Sequence, residues 1–409
     1  MVKPWENATI GDFLDFKNGL NKGKEFFGYG TPIVNYTDVY KNRGLRMSDI
    51  RGKVCLTPDE IHRFDVRKND VFFTRTSETP DEVGMSSVLL EDVENGVFSG
   101  FVLRGRPKND MFVPEYCKYC FSTESVRNAI ITGCTYTTRA LTNGKQLSAI
   151  ELPVPPKPEQ KAIAEALSDI DTLIVNLEKL IAKKKAIKQG AIQELLTGKR
   201  RLPGFDGEWK TSKIGYFGEF ISGSCFPLAH QGKQGEKYPF YKVSDFNNPG
   251  NERCLKQANN YVSPQVADQL GCKIIPEKSI VVAKIGAAIF LERKKLTTVH
   301  CCIDNNMMAF VPFNAAVAQF VCYVFQSMRL GELTEATALP SLSGKTICAV
   351  EKHVPSSVEE QIAIANILLD MDSEIDELEK KLNKYRKIKI GMMSELLTGR
   401  IRLIDKEDA

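Results

Sequence analysis

The sequence contains few of the residues from which catalytic and metal centres are usually built. Its 409 residues include four scattered histidines and two tryptophans. Of the eleven cysteines, only Cys117 and Cys120 form a CxxC pair, which lacks the second pair or the HxxxH partner of a zinc site. We therefore expect no metal site and reduced, mostly buried thiols.

Long apolar runs are also absent. The first residues, MVKPWENATIGDFLDF, contain no apolar stretch of signal-peptide length, and no run approaches the roughly 18 residues of a membrane span. We expect a cytoplasmic protein with no membrane partner. The net charge of +4 is small, so any nucleic-acid surface has to be assembled by the fold.

Motifs of catalysis are missing as well. No Asp/Asn-Pro-Pro-Tyr/Phe motif of an amino-methyltransferase occurs, because the nearest Pro-Pro, at Pro155, is followed by Lys157. The SGKT sequence at Ser343 resembles the end of a phosphate-binding loop, but Leu339 stands where the first glycine of that loop is needed. The sequence predicts no catalytic residue.

The chain contains a long internal repeat. A shift of 201 positions aligns residues 160–202 with residues 361–403 without a gap, and both copies end in nearly the same phrase, QELLTGKRRL and SELLTGRIRL. The preceding segments match more loosely, as in WENATIGDFLDFKNG from Trp5 and WKTSKIGYFGEFISG from Trp209. The ungapped match indicates that the spacing of residues matters in this part, whereas the loops of the preceding segments have diverged.

Each ungapped copy has the pattern of a long helix. Prolines precede it, Leu-Leu-Thr-Gly ends it, and its apolar residues recur at alternating intervals of four and three, which indicates two-stranded helix packing over about 35 to 40 residues. The predicted helix-pairing residues are Ile163, Leu167, Ile170, Ile174, Leu177 and Ile181 in the first copy and Ile364, Leu368, Met371, Ile375, Leu378 and Leu382 in the second.

The preceding segments carry short β-rich runs, such as DVFFTR and SIVVAKI, and two helical stretches. We therefore predict an α+β protein with two similar mixed α/β domains, at residues 1–155 and 203–355. The first long helix is expected at 156–202, and the second, with the tail, at 356–409. Each apolar seam is stable only when it is buried, and the equivalent helix of the other repeat can bury it. We therefore expect the two helices to pair antiparallel and to separate the two domains about an internal pseudo-twofold axis.

Two related domains at a fixed separation suit a partner with two different sites, and duplex DNA is such a partner. The phrases LPVPPKPEQKAIAEALSDIDTLI from Leu152 and HVPSSVEEQIAIANILLDMDSEI from His353, with both ELLTG endings, resemble the conserved regions of the specificity subunit of bacterial type I restriction-modification systems. The resemblance covers essentially the whole chain, including a target recognition domain before each helix.

The resemblance implies a non-catalytic subunit that binds double-stranded DNA, each domain recognising one half of a bipartite, asymmetric site. The helices would recruit two modification subunits, which use S-adenosylmethionine to methylate adenine N6. Restriction subunits, which are motor-nucleases, would add ATP- and magnesium-dependent cleavage. No cofactor is expected in this chain itself.

Polar and basic residues at strand ends and in loops are the candidates for DNA contact. We select Thr74, Arg75, Thr76, Ser77, Arg139 and Lys145 in the first domain and Lys242, Ser244, Lys284 and Lys345 in the second. For several of these an ordinary surface or half-buried strand position explains the residue equally well. Arg293, Lys294 and Lys295 suggest phosphate contacts or a solvated turn, and Lys183, Lys184, Lys185 and Lys188 an exposed coiled-coil face.

An alternative function stays open at this point. The same pattern fits a coiled-coil scaffold or regulator whose repeated domains bind protein instead of DNA.

Overall fold

A computed structural model describes residues 5–334 and 340–403. The chain forms two compact units, one of residues 1–178 with 380–409 and one of residues 179–379. We call them unit 1 and unit 2. Each joins one globular segment to parts of both long helices, and both units mix helices and strands, which confirms the predicted α+β class.

Unit 1 begins with a globular segment of short elements. Its strands are β1 (Glu6–Thr9), β2 (Leu14–Asn18), β3 (Phe27–Val34), β4 (Gly44–Leu45), β5 (Gly52–Val54), β6 (Val71–Thr74), β7 (Thr76–Ser77), β8 (Ser86–Leu89), β9 (Val97–Phe98), β10 (Val102–Pro107), β11 (Thr135–Tyr136), β12 (Ala140–Leu141) and β13 (Glu151–Val154). Its helices are α1 (Ile10–Phe13), α2 (Tyr36–Lys41), α3 (Pro58–Arg63), α4 (Pro114–Cys117), α5 (Glu124–Gly133) and α6 (Gly144–Ser148), followed by the long helix α7 (Lys157–Leu195).

Unit 2 repeats this order with fewer strands. They are β14 (Trp209–Lys213), β15 (Gly218–Ser222), β16 (Tyr238–Tyr241), β17 (Cys254–Leu255), β18 (Tyr261–Val262), β19 (Ile280–Ala283), β20 (Lys294–Thr297), β21 (Cys302–Ile303), β22 (Met307–Pro312) and β23 (Glu351–Pro355). Its helices are α8 (Pro264–Gln269), α9 (Ala318–Ser327), α10 (Gly344–Ala349) and the long α11 (Val358–Leu396).

Three sheets of unit 1 have the same topology as three sheets of unit 2. The five-stranded sheet has the order β2-β10-β6-β8-β4 in unit 1 and β15-β22-β19-β20-β17 in unit 2, antiparallel except for its last pair. The three-stranded sheets β5-β3-β9 and β18-β16-β21 also correspond, as do the pairs β1-β13 and β14-β23. The loose repeat of the sequence is therefore a repeat of fold.

The predicted helical stretch from Pro114 is interrupted in the structure. Helix α4 ends at Cys117, and α5 begins anew after Thr123, whose hydroxyl oxygen accepts a hydrogen bond from the Val126 N–H. A residue that caps a helix start in this way favours a new helix over a continued one. Cys117, the last residue of α4, and Cys120, between the two helices, are buried free thiols.

The long helices contain 39 residues each, in agreement with the predicted length. In unit 1, Arg386 Nη2 lies 2.6 Å from Glu178 Oε1, and Lys389 pairs with Asp171. Moving forward along α7 therefore means moving backward along α11, so the helices are antiparallel.

The same ion pairs recur in unit 2 after a shift of 201 positions. Lys185 Nζ lies 2.6 Å from Glu379 Oε1, and Lys188 Nζ lies 2.5 Å from Asp372 Oδ1. Lys184 pairs with Glu374 at 2.6 Å. The basic run of α7 thus faces acids of α11.

The twelve predicted helix-pairing residues are all buried or half-buried. Ile163 and Leu167 lie in the main core of unit 1, which also contains Leu396 and Leu397 from the end of α11. Ile364 and Leu368 occupy the main core of unit 2 with Leu195 and Leu196. At these positions the apolar seam packs on the globular segment as well as on the partner helix.

Each long helix ends against a tryptophan. Gly198 and Gly399 both have φ of +71°, a conformation that glycine adopts without strain. A Cβ atom would lie 2.9 Å from the Trp209 ring in the first case and 3.1 Å from the Trp5 ring in the second. The repeated glycine is thus required by both backbone conformation and packing.

None of the helices in residues 5–334 and 340–403 has the length and hydrophobicity that crossing a bilayer requires.

Candidate nucleic-acid interface

In unit 1 three loops meet where strands β3, β6 and β9 end. The Arg75 N–H donates to Phe101 O at 2.9 Å, and the Phe101 N–H donates to Ser99 Oγ at 3.3 Å. The Ser99 N–H donates to the carbonyl oxygen of Val34, the last residue of β3, at 3.0 Å. We call this group of loops, with the hairpin β11-β12, the strand-end platform of unit 1.

Unit 2 has the same arrangement with different side chains. The Lys284 N–H donates to Asn306 O at 2.9 Å, the Asn306 N–H to Asp304 Oδ1 at 2.9 Å, and the Asp304 N–H to Tyr241 O at 3.0 Å. Lys284 therefore occupies the position of Arg75, and Asn306 that of Phe101. The sequence match of Arg75 with Lys284 agrees with this hydrogen bonding.

The platform of unit 1 encloses an open cleft of about 340 Å³. It is formed because β7 pairs with β12, which places Ser77 opposite Ala140 and Thr76 opposite Leu141. The lining residues are Tyr36, Thr76, Ser77, Glu78, Glu82, Phe101 and Arg139. Three residues selected from the sequence, in two distant segments, thus line one cleft.

The sequence predicts that Thr74 projects from the end of its strand toward a partner, and the structure corrects this prediction. It is completely buried, and its hydroxyl donates to Glu82 O at 3.0 Å and accepts from the Met85 N–H at 2.9 Å. Both partners are backbone groups of the following turn. Thr74 therefore supports the loop from beneath and does not face the cleft opening.

Glu82 links side chains of the cleft by hydrogen bonds. Its carboxylate accepts from Ser77 Oγ at 3.0 Å and from Tyr40 Oη at 2.8 Å, one bond on each oxygen. The hydrogen bond to Glu82 raises the pKa of Tyr40 above its ordinary value. Tyr40 in turn stacks on Tyr36, with ring centroids 5.7 Å apart. These contacts fix the orientation of Ser77 and of both tyrosine rings.

The remaining candidates of unit 1 differ in exposure. Arg75 is half-buried, and its Nη1 donates to Gly100 O at 3.3 Å, so its guanidinium lies against the loop. Arg139 is exposed in the hairpin turn. Lys145 is exposed in the first turn of α6, which Asn143 caps. Arg139 and Lys145 are thus accessible to a partner.

In unit 2, Ser244 is exposed and Lys242 is half-buried, with its Nζ 3.0 Å from Gln231 Oε1. Lys284 is also half-buried, and its carbonyl accepts from the Leu342 N–H at 2.9 Å. Lys345 is exposed in the first turn of α10, which Ser343 caps. The SGKT sequence therefore forms a helix cap at the position of the α6 start in unit 1.

The basic run Arg293, Lys294 and Lys295 lies inside unit 2. Arg293 Nη1 donates to Val243 O at 3.2 Å, Lys294 Nζ to Met328 O at 2.6 Å, and Lys295 Nζ to Phe246 O at 2.7 Å. Burial lowers the pKa of both lysines. Lys294 is buried, so neither a phosphate contact nor a solvated turn describes it. Arg293 and Lys295 are half-buried, and for them a phosphate contact stays a prediction.

Several residues of the platform were not selected from the sequence. They are Glu78, Glu82 and Phe101 in unit 1 and Asn306 in unit 2. The side chain of Phe101 is 57% exposed, unusual for a large apolar ring, and Asn306 is exposed at the same position. Extending the alignment of the two repeats through these loops would have identified Phe101 and Asn306 as equivalent positions with different residues.

Each unit also joins its globular segment to the long helices through one aspartate. In unit 2, Asp372 accepts from Tyr323 Oη at 2.7 Å and pairs with Lys188 and with Arg253 Nη1, the latter at 2.5 Å. In unit 1, Asp171 accepts from Tyr119 Oη at 2.9 Å and pairs with Lys389.

The fold and these surfaces define a class of protein. Two units with one scaffold present different side chains from the same loops, and the described residues contain no cluster of histidine, cysteine and carboxylate side chains suited to a metal. Such a chain has two related surfaces that carry different side chains on one scaffold.

A family model described as the type I restriction modification DNA specificity domain matches the sequence twice, over residues 2–189 and 206–385. The chain belongs to this family, the DNA specificity subunits of type I restriction-modification systems, which recognise DNA sequence and are not catalytic themselves.

One relative matches over nearly the full length, and another over less than half of either chain. The type I restriction enzyme MjaVIII specificity subunit of Methanocaldococcus jannaschii is 24% identical over 434 residues, covering 98% of this chain and 93% of the relative. The EcoKI specificity subunit of Escherichia coli is 26% identical over 185 residues, which cover 44% and 39% of the two chains.

Solved structures share the fold. The S subunit of the type I restriction-modification system from M. genitalium aligns with a TM-score of 0.59 and 17% identity, covering 97% of this chain and 96% of that one. A chain from a structure on complex assembly and conformational transition of a type I system aligns with a TM-score of 0.62 and 14% identity, covering 98% and 100%.

Proposed function

We propose that this chain recognises a bipartite, asymmetric DNA site in the cytoplasm, one half through each strand-end platform. The observation that carries the proposal is the recurrence of one hydrogen-bonded loop arrangement with different side chains, Arg75 and Phe101 in unit 1 and Lys284 and Asn306 in unit 2. A common scaffold with divergent tips is what two different half-sites require.

The residues proposed to contact DNA are those accessible on the platforms. Arg139 and Ser244 are exposed beside the loops that form each platform, while Lys145 and Lys345 lie at the starts of equivalent helices. Lysines at such positions suit phosphate contacts, which position a protein on the duplex without carrying sequence information. Arg75, Thr76, Ser77, Lys242 and Lys284, which are less exposed, remain proposed contributors to base contacts.

We further propose that the two long helices recruit two modification subunits, and that restriction subunits complete the complex. The supporting feature is the duplication itself, since two equivalent helix ends offer two equivalent docking sites. In this arrangement S-adenosylmethionine, ATP and magnesium act in the partner subunits. Methylation and cleavage then require the partner subunits, while this chain recognises the DNA sequence.

Domain exchange tests the proposal. Residues 1–155 are replaced by the same segment of a relative with a different target, and the methylated sequence is determined in cells that carry the partner subunits. We expect one half of the motif to change and the other to stay, and the reciprocal exchange of residues 203–355 should do the reverse. Changes in both halves after either exchange would refute separate recognition. A protein-binding scaffold would leave the methylated motif unchanged in both exchanges.

A further inference from the structure

The cleft of unit 1 combines groups that do not suit a phosphate. Two carboxylates, Glu78 and Glu82, line it together with one guanidinium, that of Arg139. Because a phosphate carries negative charge, it is repelled by the carboxylates, whereas the edge of a base offers hydrogen-bond donors that they can accept. The chemistry of the cleft therefore favours contact with bases over contact with the DNA backbone.

The two carboxylates are not equivalent. Both oxygens of Glu82 already accept hydrogen bonds, from Ser77 and Tyr40. Glu78 is exposed, and among residues 5–334 and 340–403 no hydrogen bond or ion pair engages its carboxylate, although Arg139 lines the same cleft. Glu82 thus shapes the cleft, and Glu78 presents a free acceptor to a partner.

We infer that Glu78 is a specificity-determining residue that accepts a hydrogen bond from the N4 amino group of a cytosine in the first half-site. The inference rests on the proposed DNA-recognition function. An ionised carboxylate only accepts hydrogen bonds. In the major groove guanine presents two acceptors, thymine an acceptor and a methyl group, and adenine an acceptor beside its amino group. Only cytosine presents a donor without an adjacent acceptor, so the other three bases meet the carboxylate unfavourably.

The position of Glu78 supports the assignment. It follows directly after β7, whose pairing with β12 holds it beside the hairpin that carries Arg139. An arginine in the same cleft suits guanine O6 and N7. Glu78 and Arg139 together fit a half-site that contains at least one G·C pair. Discrimination by one such contact is roughly tenfold per base position.

The test uses the complete modification complex in cells, with methylated motifs determined for Glu78→Ala, Glu78→Gln and the control Glu94→Gln. Glu94 is likewise an exposed glutamate of unit 1, outside the cleft. We expect Glu78→Ala to relax a single G·C position, in the half assigned to residues 1–155 by domain exchange. Glu78→Gln should move the preference at that position from cytosine toward adenine, because glutamine bonds adenine N6 and N7 together. Glu94→Gln should leave the motif unchanged.

Several results would overturn the inference. They are an unchanged motif in both Glu78 variants, a relaxed position that is an A·T pair, or an equal effect in the second half-site. A uniform loss of methylation with the motif intact would also overturn it, since that result makes Glu78 structural. Failure of the proposed function looks different, because the exchange of residues 1–155 would then alter no part of the motif.

Discussion

Replacing Asp372 should destabilise unit 2 far more than replacing its counterpart Asp171 destabilises unit 1. The side chain of Asp372 is 11% exposed and has three partners, the hydroxyl of Tyr323 and the cations of Lys188 and Arg253. The side chain of Asp171 is 28% exposed and pairs with Lys389 and the Tyr119 hydroxyl. Asp372→Ala would leave Lys188 without its acceptor, and Arg253 with Asp376 alone, in a poorly solvated place.

The expected sizes follow from burial. Removing one member of a buried ion pair costs about 3–5 kcal/mol, because the remaining charge is left uncompensated. Asp171 is more exposed and solvent replaces part of its contacts, so Asp171→Ala should cost about 1–2 kcal/mol. For a unit of about 200 residues the larger loss corresponds to a fall of about 10 °C in its melting temperature.

The two tryptophans provide a separate probe for each unit, since Trp5 belongs to unit 1 and Trp209 to unit 2. In a Trp5→Phe background, fluorescence during urea unfolding reports unit 2, and in a Trp209→Phe background it reports unit 1. Each aspartate variant is compared with its own background, so the cost of the tryptophan replacement cancels.

Asp370→Ala is the matched control, because Asp370 is an exposed acid on the same helix. Asp370→Ala should change the free energy of unfolding by less than about 0.5 kcal/mol. The reasoning fails if Asp372→Ala costs no more than this control, or if Asp171→Ala is the more damaging variant.

Two further predictions use the same reporters. Burial lowers the pKa of Lys188 to about 8 from its ordinary 10.5, so the unfolded chain binds more protons between these values. Relative to Lys188→Met, the urea midpoint of unit 2 in the parent should therefore rise from about pH 8 toward pH 10. The comparison with the variant cancels the other titrating groups of unit 2, such as Cys301, whose raised pKa acts in the opposite direction. A difference that stays constant or falls over this range would contradict the prediction. Arg402→Ala should destabilise unit 1 by about 3 kcal/mol and Arg201→Ala unit 2 by a similar amount, because each leaves a buried glutamate, Glu159 or Glu360, without its cation. Equal effects of one variant on both tryptophan signals would contradict this pairing.

The long helices and the repeat could be predicted because their signals are local. Ile163 and Leu167 belong to a regular spacing that only a helix places on one face, and the glycine after Leu-Leu-Thr fits a helix end. The strand runs around Val71 and Ile280 were equally visible, since buried strands are short and apolar. These features need no knowledge of which segments meet in space.

The platform could be predicted only in part, because β pairing between distant segments leaves no local signal. Thr76, Ser77 and Arg139 were selected separately as polar residues near strand ends, and only the pairing of β7 with β12 makes them one cleft. The same limit applies to Thr74, which looks accessible in sequence but bonds inward to the turn. Lys294 shows the reverse case, a cation buried against backbone carbonyls.

The repeated phrase at the helix ends is explained residue by residue. Its two leucines enter a core, and its glycine packs against a tryptophan ring. Its arginine, immediately before the final leucine in each copy, bonds a glutamate near the start of the other long helix in the same unit.

In unit 1, Arg402 bonds both carboxylate oxygens of Glu159, at 2.7 and 2.8 Å, and Trp5 Nε1 donates to the same group at 2.9 Å. Although burial alone would raise it, the hydrogen bonds from Arg402 and Trp5 hold the pKa of Glu159 below its ordinary value. The last described turn of the chain is thereby bonded to one of its first residues.

Arg201, Glu360 and Trp209 form the same group in unit 2, with Arg201 bonds of 2.8 and 3.0 Å and a tryptophan bond of 3.1 Å. Each copy of the phrase thus completes the unit that contains the start of the other helix. A change in one copy alone would break one unit's glutamate group and leave the other intact. Because each unit needs its own copy, the ten residues are nearly identical in the two repeats. The platforms, which we propose to contact different half-sites, present different side chains.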